Sequence, residues 1–104
     1  KLLREQFPYD TILEEVPLVG SHKPSRKSTL YVDFLIPSHS LAVEVHGRQH
    51  FEFVAHFHGN KQGFRKSKAR DRDKANWFYN NDIQLIVLSY SGTEDEWRKS
   101  IINR

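Results

Sequence analysis

Apolar residues recur along this chain in different rhythms, and the rhythm changes at clusters of Pro, Gly, Ser and Asn. Leu2, Leu3 and Phe7 are spaced as one face of a helix that opens without an N-cap, which suggests a piece of a longer protein. After Pro8, Ile12, Leu13, Val16 and Leu18 read as a strand, edge-like because Pro17 has no N–H for a ladder. Thr29 to Ile36 ("TLYVDFLI") is β-branched and aromatic and stops at "PSHS"; "LAVEV" then resumes an apolar run, so the two form an antiparallel hairpin. From about Gln62 to Asn80 the pattern is helical and ends at "NND". Ile83 to Tyr90 ("IQLIVLSY") is an uninterrupted apolar run of the kind buried on both faces. Thr93 then caps a last helix with acids in its first turn and bases later.

The predicted order is helix, strand, two-strand hairpin, helix, strand, helix. That order is α/β: a small mixed β-sheet flanked by helices. The length of 104 residues allows one domain and one core. At 38% hydrophobic and 28% charged residues, the composition is that of a folded domain rather than a disordered tail. No apolar run is long enough to cross a bilayer and no signal-peptide pattern opens the chain, so it reads as soluble and not secreted. Cysteine is absent, which removes disulfides, thiolate catalysis and Cys-ligated zinc, and fits a reducing cytosol.

The net charge of +3 matters less than its distribution. "KQGFRKSKARDRDK", Lys61 to Lys74, gathers the basic residues on the long helix, broken only by Asp71 and Asp73. This is either a phosphate-facing helix or a solvated helix face. A further ambiguity concerns aromatics. Phe51, Phe53, Phe57 and Phe64 suit core or lid packing and also base stacking, in a stretch that reads as a loop up to about Asn60. Trp77, Phe78 and Trp97 are assigned to the core.

The chemistry concentrates in "LAVEVHGRQHFEF", Leu41 to Phe53. Strand alternation turns Leu41, Val43 and Val45 one way and Ala42, Glu44 and His46 the other. Antiparallel pairing across the Pro37–Ser40 turn brings Asp33 near Glu44. Two carboxylates in apolar strands repel and lose solvation unless a cation lies between them, and a hard divalent ion such as Mg²⁺, with the Val45 carbonyl as a third oxygen, satisfies both. The bland alternative puts the two acids on solvated faces with unrelated partners. His46 and His50, with His56 and His58 nearby, also match a zinc pair, but Gly47 disfavours a helix there and cysteine ligands are lacking. A histidine beside a water can instead move a proton, with Asp71 as its orienting carboxylate.

Asp33, "VEVHGRQH" and "ARDRDK" ahead of an apolar strand resemble the very-short-patch-repair-like branch of the PD-(D/E)xK nucleases, over Tyr31 to Leu88. Within that branch the pattern is most similar to the EDxHD homing endonucleases. The resemblance implies a restriction-endonuclease-like fold and the catalytic domain of a Mg²⁺-dependent DNA endonuclease, with Mn²⁺ able to substitute and no zinc. Asp33 and Glu44 match the metal-binding acids, and Val45 falls where a main-chain oxygen joins them. His46 takes the slot held by lysine in many relatives. His50 resembles the second active-site histidine, one residue closer than in the repair enzymes. Asp71 matches the aspartate paired with histidine, Gln49 the "G-x-Q-H" ending, and Lys74 the lysine that follows the helix aspartate. Arg48, Lys61, Arg65, Lys66, Lys68, Arg70, Arg72 and Lys74 are assigned to double-stranded DNA.

Further implications are a homodimer when full length, since one such site cuts one strand, a role in intron mobility, no membrane partner, and a cytoplasmic, nucleoid-associated place in a bacterial or phage-infected cell. The chain departs from the repair enzymes in lacking zinc-binding cysteines and an aromatic wedge between the histidines, which argues against mismatch-specific nicking. The family's N-terminal helical glutamate has no clear match; it is Glu5 or precedes Lys1. The alternatives are a repair or junction-resolving nuclease of the same fold, or a DNA-binding module without catalysis.

Overall fold

Residues 2–21, 29–47 and 61–103 are described in the structure, a computed structural model. The chain begins with the short helix α1 (Leu2–Gln6), followed by strands β1 (Leu13–Pro17) and β2 (Tyr31–Ile36). A 3₁₀ turn over Pro37–His39 leads into β3 (Leu41–His46). The long helix α2 (Lys61–Asn80), strand β4 (Gln84–Ser89) and helix α3 (Glu94–Ile102) complete the order expected from the apolar pattern. The strands form one mixed sheet in the order β1-β2-β3-β4, in which β1/β2 and β2/β3 are antiparallel and β3/β4 parallel. The parallel step follows from the length of chain between β3 and β4, which includes α2; a tight turn permits only antiparallel neighbours.

Local chemistry explains the turns. Pro37 supplies the fixed φ of a first helical position, and Ser40, at φ 47° and ψ 48°, returns its N–H to the Pro37 carbonyl at 3.1 Å before β3 starts. The same turn is tied to the segment after α1: Ser38 Oγ donates to Asp10 Oδ1 and His39 Nε2 meets Asp10 Oδ2, each at 3.0 Å. Helix α2 ends as "NND" predicts. Asp82 adopts φ 56° and the Ile83 N–H reaches back to the Phe78 carbonyl at 3.0 Å, a Schellman closure. Thr93 and Glu96 form a reciprocal capping box that starts α3.

Each sheet face carries its own apolar cluster. On one side Leu3, Phe7, Ile36, Leu41, Val43, Ile86, Leu88 and Ile101 pack beneath α1 and α3. On the other, Leu18, Leu30, Val32, Ala42 and Phe78 pack beneath α2. Two expectations need correction. Strand β4 is not buried on both faces: it is the edge of the described sheet, and Val87 is 43% exposed, because α2 covers Leu85 but not the position beyond it. Of the three aromatics assigned to the core, only Phe78 is fully buried. Trp77 and Trp97 are half-buried because each indole N–H must reach a carbonyl, Val19 at 3.0 Å and Ser89 at 2.9 Å respectively.

Candidate functional site

The site forms where the β2–β3 ladder stops. Pairing runs Ile36↔Leu41, Leu35↔Ala42, Phe34↔Val43, and one further step would set Asp33 opposite Glu44. At that step a side chain replaces the ladder: Asp33 Oδ2 accepts the Val45 N–H at 2.8 Å. Strand β2 changes face here. Val32 packs in the α2-side cluster, whereas Phe34 packs against the cluster beneath α1 and α3. In β1 the register brackets Glu15 against Asp33, and Glu15 takes a left-handed φ of 53°. The two strands are therefore irregular at the same level, which frees the Asp33 carboxylate to turn along the strand end. The N–H and C=O of one strand residue leave on the same side, so the Val45 carbonyl also faces β2.

Glu44 occupies the α2-facing side of β3 at 5% exposure. Its Oε2 meets His46 Nε2 at 2.7 Å, as two residues of one strand face can, and its Oε1 meets Lys74 Nζ at 2.5 Å. The Lys74 side chain is 13% exposed and that of His46 10%, so all three groups lie out of bulk water. Burial alone would push the Glu44 carboxyl upward. The hydrogen bonds from His46 and Lys74, with the Lys74 charge, outweigh it and hold the group below the usual glutamate range. Glu44 is thus an ionised carboxylate inside the fold, neutralised by an ammonium.

The stripe of α2 that faces β3 changes character along its length. Phe78 and the half-buried Trp77 sit over the apolar end of the sheet, while Lys74 and the half-buried Asp71 sit toward the strand ends that carry Glu44 and His46. Lys74 differs from the other bases assigned to DNA: its ammonium is paired with Glu44 and largely shielded from solvent. The signal in the sequence was the spacing of Lys74 and Phe78, i and i+4 on one helix face, which makes any helix that buries Phe78 turn Lys74 inward. Lys61, Arg65, Lys66, Lys68, Arg70 and Arg72 remain on exposed positions of α2. The carboxylate at His46 Nε2 is that of Glu44, while Asp71, the expected orienting acid, is half-buried on α2. Glu5 pairs with Arg98 Nε at 2.8 Å on the α1 and α3 side of the sheet. Arg48, Gln49, His50, His56 and His58 lie outside the described residues, as do Phe51, Phe53 and Phe57.

Among the described residues no group of three or more His, Asp or Glu side chains forms a metal-binding cluster. The donors at this strand end are the carboxylates of Asp33 and Glu44, from adjacent strands, and the Val45 backbone carbonyl, and all are oxygens. That set fits a hard divalent ion which fills the rest of its shell with water and substrate oxygens. The cationic Lys74 on Glu44 Oε1 shows that the position favours positive charge.

On the reverse side of β3, Val43 and Val45 border a cavity of about 560 Å³ that is largely apolar, with Arg4, Glu14 and Glu94 among its lining residues. It holds none of the candidate site residues except the Val45 side chain. No helix of the described residues is long and apolar enough to cross a membrane.

The chain is similar to uncharacterized proteins of three viruses. It is 39% identical over 62 residues to one from Invertebrate iridescent virus 6, covering 60% of this chain and 32% of that protein. It is 32% identical over 68 residues to one from Invertebrate iridescent virus 3, covering 65% of this chain and 35% of that protein. It is 34% identical over 79 residues to one from Frog virus 3, covering 75% of this chain and 51% of that protein. The chain thus spans about a third to a half of the length of these relatives. No protein-family model matches it. No solved structure matches it either.

Proposed function

We propose that this chain is the catalytic domain of a Mg²⁺-dependent DNA endonuclease, with the homing type as its finer assignment. The observation that carries the reading is Asp33 and Glu44 at neighbouring register positions where the β2–β3 ladder ends, with His46 and Lys74 on the two Glu44 oxygens. An internal hairpin end with paired acids, a histidine and a lysine has little to contribute to stability that apolar residues would not contribute better. Such a set supports a role in phosphodiester hydrolysis.

Asp33, Glu44 and the Val45 carbonyl are the residues that would hold the ion. When bound, a divalent ion polarises a phosphoryl oxygen and offsets charge on the leaving oxygen. His46, at the open end of β3, holds or moves a proton at the attacking water or leaving group, and its hydrogen bond to Glu44 fixes the ring. His50 belongs to the same proposal as a second proton carrier, with Asp71 oriented from α2. The exposed Lys61, Arg65, Lys66, Lys68, Arg70 and Arg72 neutralise the backbone of double-stranded DNA without reading its sequence. Arg48, outside the described residues, belongs to the same proposal as a further DNA contact. Cleavage of both strands would take a homodimer of the full-length protein or two successive nicks. Relatives in invertebrate and frog viruses support a virus-infected cell as the setting, in place of the bacterial or phage-infected one that the homing resemblance implies.

A second reading has one observation in its favour. Both Glu44 oxygens are already satisfied by protein groups, so the site is stable without an ion and suits a DNA-binding module that has lost catalysis. A plasmid-nicking assay separates the two, run with Mg²⁺, Mn²⁺ or EDTA on the wild type and on Asp33→Ala and His46→Ala variants that stay folded by circular dichroism. Nicking that needs the ion and disappears in both variants supports the nuclease. Salt-sensitive binding with no nicking in either ion assigns the chain to the binding module.

A further inference from the structure

Lys74 stands where an ion at Glu44 would need room. Glu44 Oε2 is held by His46 within the same strand, so Oε1 is the oxygen left for an outside cation, and Lys74 Nζ lies 2.5 Å from it. A Mg²⁺ ion needs an oxygen at about 2.0–2.1 Å. Two cations sharing one carboxylate oxygen in a poorly hydrated site repel strongly. The lysine, unlike the strand residues, can leave. It has a flexible four-carbon stem, its side chain keeps 13% exposure, and its helix carries the exposed Arg70 and Arg72 in the turn before it.

We infer that Lys74 is a displaceable internal counter-ion: it holds the Glu44 side chain aligned before the ion arrives, and ion binding releases its ammonium from Oε1 toward the basic face of α2. The inference rests on the reading of Asp33 and Glu44 as the ion-holding pair and adds a coupling to it. A released ammonium next to Arg70 and Arg72 is a further charge for a phosphate. A phosphate that draws Lys74 outward in turn clears Glu44 for the ion. By linkage, ion and DNA then strengthen each other's binding by the same factor. Removal of Lys74 leaves a site that binds the ion more tightly but no longer couples it to DNA.

The test uses the wild-type chain without DNA, so that catalysis plays no part. Lysines are acetylated briefly with an amine-reactive ester, with and without saturating Ca²⁺ or Mg²⁺, and located by mass spectrometry, while calorimetry reports ion binding. Lys74 acetylation should rise about tenfold with the ion, with the exposed Lys61, Lys66 and Lys68 unchanged. The K74M variant should bind Ca²⁺ about tenfold more tightly than the wild type. If K74M does not fold, the labelling of the wild type decides alone. Bound ion with Lys74 still protected overturns the inference, and so does an unchanged or weaker affinity in a folded K74M. Absence of ion binding overturns it too, and the plasmid assay shows whether the nuclease reading falls with it: Mg²⁺-dependent nicking that persists leaves that reading standing.

Discussion

Lys74 Nζ lies 2.5 Å from Glu44 Oε1 across thirty residues of sequence, and the pair joins α2 to β3 at the point where the sheet turns from apolar to polar. Glu44 would remain buried if its partner were removed, and a buried charge left alone costs far more than the pair contributes. Lys74→Ala is expected to destabilise the fold by about 3–5 kcal/mol, and Glu44→Gln combined with Lys74→Met to recover most of that loss. Denaturant unfolding of the single and double variants gives the coupling energy directly. Additive losses would show that the two side chains do not meet in solution.

The same carboxylate makes stability depend on pH, and the direction follows from its shift. Burial alone would raise the Glu44 carboxyl, but His46 and Lys74 bring it below its ordinary value. Because the folded value is lower than the unfolded one, the contribution is complete above about pH 4.3, the unperturbed glutamate value, and is lost as pH falls through the folded value. Wild type should therefore lose stability below about pH 4.3 more steeply than Glu44→Gln does. Asp10, which is also lowered by its hydrogen bonds to His39 and Ser38, acts in the same direction and remains in the variant, so the comparison is one of slopes. Equal slopes for the two proteins would place the Glu44 charge outside the linkage.

How much of this was legible in sequence depends on the reach of each interaction. The β2–β3 hairpin was, because "PSHS" and the flanking alternation are local; so was the start of α3, where Thr93 and Glu96 cap each other within one turn. The apolar run of β4 revealed a strand but not its place, since Ile86 and Leu88 account for its burial and nothing in the run says that Val87 stays 43% exposed. Counting across the turn placed Asp33 and Glu44 at the same end of the hairpin, one step beyond the Phe34↔Val43 pair where the ladder stops. Its bond to the Val45 N–H did not, because it depends on β2 changing face opposite the left-handed Glu15. Lys74 looked like one more base in a basic helix. Its i, i+4 spacing from Phe78 turns it away from solvent once Phe78 is buried, but which group it then meets depends on β3, thirty residues away in sequence.

Gly92 is required by a contact rather than by its backbone angles. A Cβ there would meet Trp97 Nε1 at 2.7 Å and the Ser89 carbonyl at 3.3 Å, the donor and acceptor of the hydrogen bond that ties α3 to the end of β4. Gly92→Ala should cost about 1–3 kcal/mol, the range for forced overpacking, and should change the emission of Trp97 as its indole loses the Ser89 carbonyl. The effect is cleanest in a Trp77→Phe background, which leaves Trp97 as the one tryptophan. Unchanged emission and unchanged stability would mean that the α3 start is loose enough to absorb a methyl group.

Lys66 and Arg70 sit one turn apart on exposed positions of α2, so alanine at both should leave stability within about 0.5 kcal/mol of wild type. Their role in the proposed interface is tested by salt. Each phosphate neutralised on duplex DNA contributes about −0.9 to the slope of log K against log salt, so the double variant should flatten that slope by about 1.8. The loss should be the same for unrelated duplex sequences, because phosphate contacts carry no base information. Asp33→Ala provides the contrast, since it should abolish the proposed cleavage while leaving every cation of the proposed DNA contact in place. Fluorescence anisotropy with a labelled duplex at several salt concentrations measures both. A slope unchanged in Lys66→Ala/Arg70→Ala would move the DNA off this face of α2 and leave its row of charges as a solvated helix surface.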